Sequence, residues 1–353
     1  MDDPTPPADP ITPFVTGRPV AVPAPRVGPA ELDYPPVRNG VDYLRSVVDH
    51  LAQKADMGLN TKARDVKYAV LHLQAAAEVL LKARLLREHW SLVFKDPGTA
   101  AAKAFAEHSF ASCTTQDAVD RLRRIAGIAI SDKDAKALKD LSDDRNALQH
   151  FGLTHNARTI EARAAAVLDF LVHFLDTELL PQLSDDEAAA ITGDMNRVRW
   201  GLNSIQSFVR ERMNRLRGTV LKGQESVTVP CPHCEQGAVT LEPGTGYCHF
   251  CGNDWPAFSL AHCFQSDSDF RNPLNECPTC HARTLADEVT FADPAAAAAL
   301  YCFTCAARFA PDALVSCGGC GCLHPRPETP EDTTRQLLCP SCRQQVLGEE
   351  QHG

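Results

Sequence analysis

Six pairs of cysteines, every one spaced C-x-x-C, fall in the last third of this chain: Cys231/Cys234, Cys248/Cys251, Cys277/Cys280, Cys302/Cys305, Cys317/Cys320 and Cys339/Cys342. Two cysteines three apart on a tight turn aim both sulfurs at one point, and two such turns complete the tetrahedron that Zn²⁺ prefers. Taken in order, the pairs combine into three tetrathiolate sites with 13, 21 and 18 residues between the turns, close to the zinc-ribbon spacing of roughly 15–20. A filled tetrahedron leaves no position for water. The pattern therefore predicts structural rather than catalytic zinc, about three ions per chain.

The flanking residues extend the pattern into a threefold repeat. Tyr247, Tyr301 and Leu338 precede the third cysteine of each set, and Trp255, Phe309 and Val346 follow the last by four. A unit of about 40 residues is too small for a sufficient core, so metal is expected to stand in for one. In the third unit Cys322 competes with Cys320; Gly321 directly after Cys320 suits a knuckle whose backbone amides approach the sulfurs, which favours Cys320. Cys113, Cys263 and Cys322 are left over and read as buried or incidental thiols. Disulfides are the competing use of so many cysteines. Against them, the start Met1-Asp2-Asp3-Pro4 has neither the basic segment nor the apolar run of a secretory signal, and no stretch approaches 18 apolar residues. The expected setting is the cytoplasm, without a membrane partner, where thiols stay reduced.

Composition divides the remainder. Residues 1–39 hold 11 of the 25 prolines and read as a disordered leader. Residues 40–222, rich in Ala, Leu, Arg and Asp, read as a helical domain. Ribbons are expected over 227–260, 273–312 and 313–346, with a tail over 347–353. The predicted fold class is thus a mainly α-helical bundle followed by small β-rich zinc-ribbon domains. Charge is shared unevenly: residues 1–220 carry 28 Lys and Arg against 29 Asp and Glu, and residues 221–353 carry 7 against 16. Tetrathiolate zinc adds about two further negative charges per site. So acidic a surface repels phosphates, and a protein partner is the better expectation for the ribbons.

Punctuation and periodicity parse the helical domain into helices over Val41–Met57, Thr61–Trp90, Thr115–Ala126, a helix opened by Ser131 and Asp134 and stopped by Gly152, Asn156–Leu180, and a last one from the Ser184/Glu187 cap to Val220. That last helix carries a stripe, Ile191, Met195, Val198, Leu202, Ile205, Val209, Met213, Leu216 and Val220, at the α-helical period. Off the stripe lie Arg197, Arg199, Arg210, Arg212, Arg215, Arg217 and Lys222, either a solvated face or a phosphate-contacting one.

Chemistry is most readable in Asp143-Asp144-Arg145-Asn146-Ala147-Leu148-Gln149-His150-Phe151-Gly152. Arginine, a polar residue directly after it, and histidine at the end of a helix resemble the motif of ribonucleases in the HEPN superfamily. The long helix with Lys67-Tyr68-Ala69-Val70-Leu71-His72-Leu73 and Glu78-Val79-Leu80-Leu81-Lys82 is also similar to an early helix of bacterial HEPN proteins. The resemblance spans roughly residues 41–180. It implies a metal-independent endoribonuclease, working as a homodimer on RNA in a defence or toxin setting, with Arg145, Asn146 and His150 catalytic. His150 would exchange the proton of a ribose 2′-hydroxyl, Arg145 would meet charge gathering on the phosphate, and Asn146, four before His150, would orient imidazole or phosphate. Structurally, the same residues could instead pair Arg145 with Asp143 or Asp144 and cap the helix with His150. The alternative function is a catalytically inactive HEPN-like adaptor or nucleotide- or RNA-binding module.

Overall fold

The computed structural model describes residues 32–52, 62–265, 274–326 and 338–350, and the account below concerns the body from Pro35 onward. The expected leader up to residue 31, Met57, Thr61, the tail from residue 351 and the side chain of Val346 lie outside the described residues.

Eight helices come first: α1 Pro36–Ala52, α2 Ala63–Glu88, α3 Ala102–Ala106, α4 Thr115–Arg124, α5 Asp132–His150, α6 Ala157–Phe174, α7 Asp185–Leu202 and α8 Gln206–Gly218. α1 starts five residues before the expected Val41, inside the proline-rich leader. Proline fits a first helical turn, where its missing N–H would have no partner and its φ is already helical. α2 is the central helix. Val66, Val70, Leu73, Ala77, Leu80 and Leu81 are buried together with Ala69, Ala76, Ala83 and Leu85, and α1, α4, α5 and α6 pack around it. It ends at Glu88 rather than Trp90 because His89 turns extended (φ −163°) and accepts from the Ser91 N–H, capping a short following turn.

Seven of the nine residues of the predicted stripe are buried, but on two helices: Ile191, Met195, Val198 and Leu202 of α7, Met213 and Leu216 of α8, and Ile205 between them, each contributing about 1.5–3 kcal/mol of burial. Val209 is half-buried, and Val220, expected to close the helix, is exposed beyond its end at Gly218. The chain bends at Asn203–Ile205, where the Ser204 hydroxyl bonds the Gly201 carbonyl at 2.8 Å and Ile205 leaves the helical region. Short polar side chains compete locally with the helix ladder in this way. Gly201 itself is dictated by packing, since a Cβ there would run into Val48 of α1.

Small antiparallel sheets follow, as composition suggested. β1 Val229–Pro230, β2 Gly237–Glu242, β3 Thr245–Cys248 and β4 Asp254–Pro256 form one sheet in that order and lead into a short helix, α9 Ala257–Cys263. β5 Leu285–Val289, β6 Ala299–Cys302 and β7 Arg308–Phe309 form a second, and β8 Leu314–Ser316 with β9 Leu323–Pro325 a third. The third unit breaks the repeat: its last cysteine pair opens a helix, α10 Pro340–Glu350, instead of a hairpin. The expectation of units held by metal in place of a core also needs correcting. Val229, Val239 and Phe250 of the first unit and Phe291, Tyr301 and Phe303 of the second belong to the same buried cluster as the helices. The third unit packs mainly through Leu314 and Leu323 against Leu285 and Leu300. Among the described residues no helix is long and apolar enough to cross a membrane.

Candidate metal centres and a polar cavity on helix α5

The cysteine turns share one backbone design. In all six, the N–H of the residue after the second cysteine returns to the carbonyl of the first: Glu235 to Cys231, Gly252 to Cys248, His281 to Cys277, Ala306 to Cys302, Gly321 to Cys317 and Arg343 to Cys339, at 2.8–2.9 Å. The first five of those residues have positive φ, between 57° and 76°. Arg343 does not, because Cys339 and Cys342 sit at a helix start, where the Cys342 N–H points to Cys339 Sγ at 3.5 Å.

These turns bring the twelve predicted cysteines into three groups of four, Cys231/Cys234/Cys248/Cys251, Cys277/Cys280/Cys302/Cys305 and Cys317/Cys320/Cys339/Cys342, with all sulfurs of a group within 4.8 Å of one another. None is in a disulfide. Sulfur pairs lie 3.8 Å apart for Cys231–Cys251 and Cys277–Cys305, 3.7 Å for Cys234–Cys248 and Cys320–Cys339, and 3.6 Å for Cys280–Cys302. A tetrahedron with metal–sulfur bonds of about 2.3 Å has edges of about 3.8 Å, so the groups have the size of a tetrathiolate cage. Four thiols this close cannot all ionise unaided. Hydrogen bonds from Cys234 and then Cys248 drive Cys231 far down, while Cys231 and Cys234 push Cys248 far up. A cation must therefore displace protons to bind.

In the third group Cys320, not Cys322, completes the set of four. Gly321 after it makes the turn (φ +75°), and the Cys322 carbonyl accepts from the Cys317 N–H at 2.8 Å. Cys322 stands as a fifth thiol, its sulfur 3.2 Å from that of Cys320. Of the other leftover cysteines, Cys113 is buried and Cys263 exposed.

The first group is clamped by the helices. Arg199 donates to the Cys251 carbonyl and Arg212 to the His249 carbonyl, both at 3.2 Å. A Cβ on Gly252 would strike the Arg199 guanidinium. The same arginines belong to a charge network: Arg199 with Asp176 at 2.6 Å, Arg212 with Asp176 at 3.3 Å and Asp169 at 3.7 Å, Arg215 with Asp169 at 2.6 Å and Asp134 at 2.7 Å. Burial opposes the charge on Arg215, but Asp134 and Asp169 hold it protonated beyond its ordinary range. Three of the seven predicted basic residues are thus internal ties, and neither a solvated nor a phosphate-contacting face describes them. Asp134 departs from the expected capping box for the same reason. Its N–H bonds Ser131 Oγ at 3.1 Å, but its carboxylate faces Arg215 and the Ser131 hydroxyl.

A cavity of about 750 Å³ lies between α2, the loop into α4 and α5. Arg145 and Asn146 line it, Arg145 Nη1 donating to Asn146 Oδ1 at 2.9 Å. Neither neighbouring acid neutralises Arg145. Asp143 pairs with Lys139 at 3.0 Å, and the buried Asp144 with Arg163 at 3.0 Å. Among the described residues no carboxylate lies within ion-pair distance of Arg145, so its charge faces the cavity uncompensated. His150, one helical turn beyond Asn146, is exposed and is not among the lining residues; its ring lies 6.1 Å from that of Phe151. Among the described residues it caps no carbonyl by a hydrogen bond.

The wall opposite Arg145 holds residues that sequence reasoning passed over. Gln74, only 4% exposed, donates from Nε2 to Thr115 Oγ1 at 3.0 Å and accepts from Ser142 Oγ at 3.1 Å. A glutamine inside the run Leu73-Gln74-Ala75-Ala76-Ala77, on a helix buried all round, was the available signal. Glu78 and Lys82 pair at i, i+4, and Lys82 also reaches Ser112 Oγ at 2.8 Å across the cavity rim. Compared with family models, curated proteins and solved structures, the chain matches none.

Proposed function

We propose that this chain is a metal-independent endoribonuclease of the HEPN type, with its cysteine tetrads holding three structural zinc ions. The observation that carries the reading is Arg145, without an ion pair among the described residues and bonded to Asn146 on the wall of the α5 cavity, on the same helix as His150. In a cleft walled by low-dielectric core, a free guanidinium stabilises charge that develops on a phosphate, through a planar fork of donors. Asn146 holds one arm of that fork and shares a helix face with His150, whose imidazole can take the 2′-hydroxyl proton or return one to the leaving 5′-oxygen. Zinc has no part in this chemistry, since four thiolates fill its coordination. Two facing copies of the chain, each presenting His150 at the exposed end of α5, would complete the cleft.

A second reading rests on one observation: His150 stands outside the cavity. A catalytically silent RNA-binding module would have that geometry. Product chemistry separates the two. Cleavage by 2′-hydroxyl attack gives 2′,3′-cyclic phosphate ends, and a substrate with a single 2′-deoxy nucleotide at the scission site should resist. Cleavage through the deoxy position would overturn the ribonuclease reading, and no cleavage of any RNA would leave the binding module.

A further inference from the structure

A second cleft, about 470 Å³, opens between the end of α1, the end of α7 and the first cysteine turn. Its most unusual feature is Trp200, 69% exposed, the largest side chain standing in water beside a cavity. The ring is set edge-on to His233 at 5.2 Å, and His233 is fixed between Cys231 and Cys234 in the turn. Three residues before Trp200, one turn back on the same side of α7, is Arg197. It is exposed, and among the described residues no carboxylate lies within ion-pair distance of it. Arg199, by contrast, is engaged by Asp176 and the Cys251 carbonyl.

The surroundings decide what the indole is for. A protein hot spot surrounds an aromatic anchor with apolar contacts. Here six of the eleven lining residues are polar or charged, Asp49, Asn203, Ser204 and His233 among them. Polar edges around an open π-face suit a nucleobase, which every aromatic side chain can stack and whose edges need hydrogen-bonding groups. The charge count then chooses the form. Arg197, the one lining cation without an ion pair among the described residues, matches the single negative charge of a phosphodiester, whereas the several charges of a free nucleoside triphosphate would face Asp49 and the thiolates beneath His233.

We propose that this cleft binds one unpaired nucleotide of a single-stranded RNA, its base stacked on Trp200 and its phosphodiester on Arg197. The RNA class rests on the ribonuclease reading, and the experiment reads binding alone so that the two can fail separately. The probe is a 12-nucleotide single-stranded RNA titrated into full-length His150→Ala protein, followed by tryptophan fluorescence and by anisotropy of a labelled strand at several salt concentrations. Stacking should quench the fluorescence. Trp200→Ala should abolish that quenching and weaken binding by about 10-fold, within the range for losing one stacked base. Trp200→Phe, which keeps a ring, should recover to within about 3-fold. Arg197→Gln should weaken binding and lower the slope of log affinity against log salt by about one. Absence of RNA binding, wild-type affinity in both Trp200→Ala and Arg197→Gln, or equal displacement by free mononucleotide would overturn the proposal.

Discussion

Removing Asp169 should cost this protein more than any exposed charge it carries. The carboxylate sits on α6 with its side chain 4% exposed, 2.6 Å from Arg215 Nε and 3.7 Å from Arg212 Nη1. Breaking a buried ion pair by deleting one partner costs about 3–5 kcal/mol, because the other charge stays buried. In Asp169→Ala each arginine keeps a second acid, Asp134 for Arg215 at 2.7 Å and Asp176 for Arg212 at 3.3 Å. The loss should therefore fall at the low end, about 3 kcal/mol. Asp169→Asn, which keeps an acceptor, should lose about half of that. Asp143→Ala is the control: its pair with Lys139 has both side chains more than 60% exposed, and its loss should leave stability close to wild type. Urea denaturation followed by far-ultraviolet circular dichroism reads all three. The clamp adds a second readout. Because Arg212 also holds the His249 carbonyl, Asp169→Ala should speed chelator capture of about one metal equivalent in three. A loss under about 1 kcal/mol in Asp169→Ala, equal to the control, would refute the argument that the network is a buried tie between helices and first metal centre.

Two further outcomes follow from the same geometry. Elemental analysis of reduced protein should give three zinc ions per chain, unchanged in Cys322→Ser and one fewer in Cys320→Ser; the reverse would exchange the two thiols' roles. Partial desolvation against the helices, and then Arg215 and Arg212, hold His173, whose side chain still reaches solvent, below the ordinary histidine range. Its folded pKa is the lower one, so its contribution is fully present above about pH 6.5 and is lost as the unfolded chain takes the proton first on acidification. Denaturation midpoints at fixed zinc content should thus fall between about pH 7 and pH 5, and less steeply in His173→Gln.

What sequence could supply was local. The cysteine turns were readable because a C-x-x-C spacing places two sulfurs without reference to the rest of the chain, and Gly321 marked Cys320 because its left-handed turn is a property of neighbouring residues. The end of α5 was equally local, with Ser131 and Gly152 as its signals. The ties between α5, α6, α8 and the first metal centre were not, because Asp134 and Arg215 stand 81 positions apart and Asp169 and Arg215 stand 46 apart. Arginines off an apolar stripe look solvated until the opposing acids are placed. The bend at Asn203–Ile205 escaped notice because the stripe continues across it in phase. The cavity needed three separate segments to come together, and only its α5 wall carried a recognisable motif.

The most direct measurement of the central claim is RNA cleavage by the full-length protein in EDTA, compared between wild type and His150→Ala and Arg145→Ala. The account predicts metal-independent cleavage that falls by about 100-fold or more in each variant, the scale lost with a positioned acid–base or charge stabiliser. Unfolding midpoints should stay at the wild-type value, since His150 is exposed and Arg145 has no ion pair among the described residues. Full activity in His150→Ala, or cleavage of single-stranded DNA at a comparable rate, would contradict it.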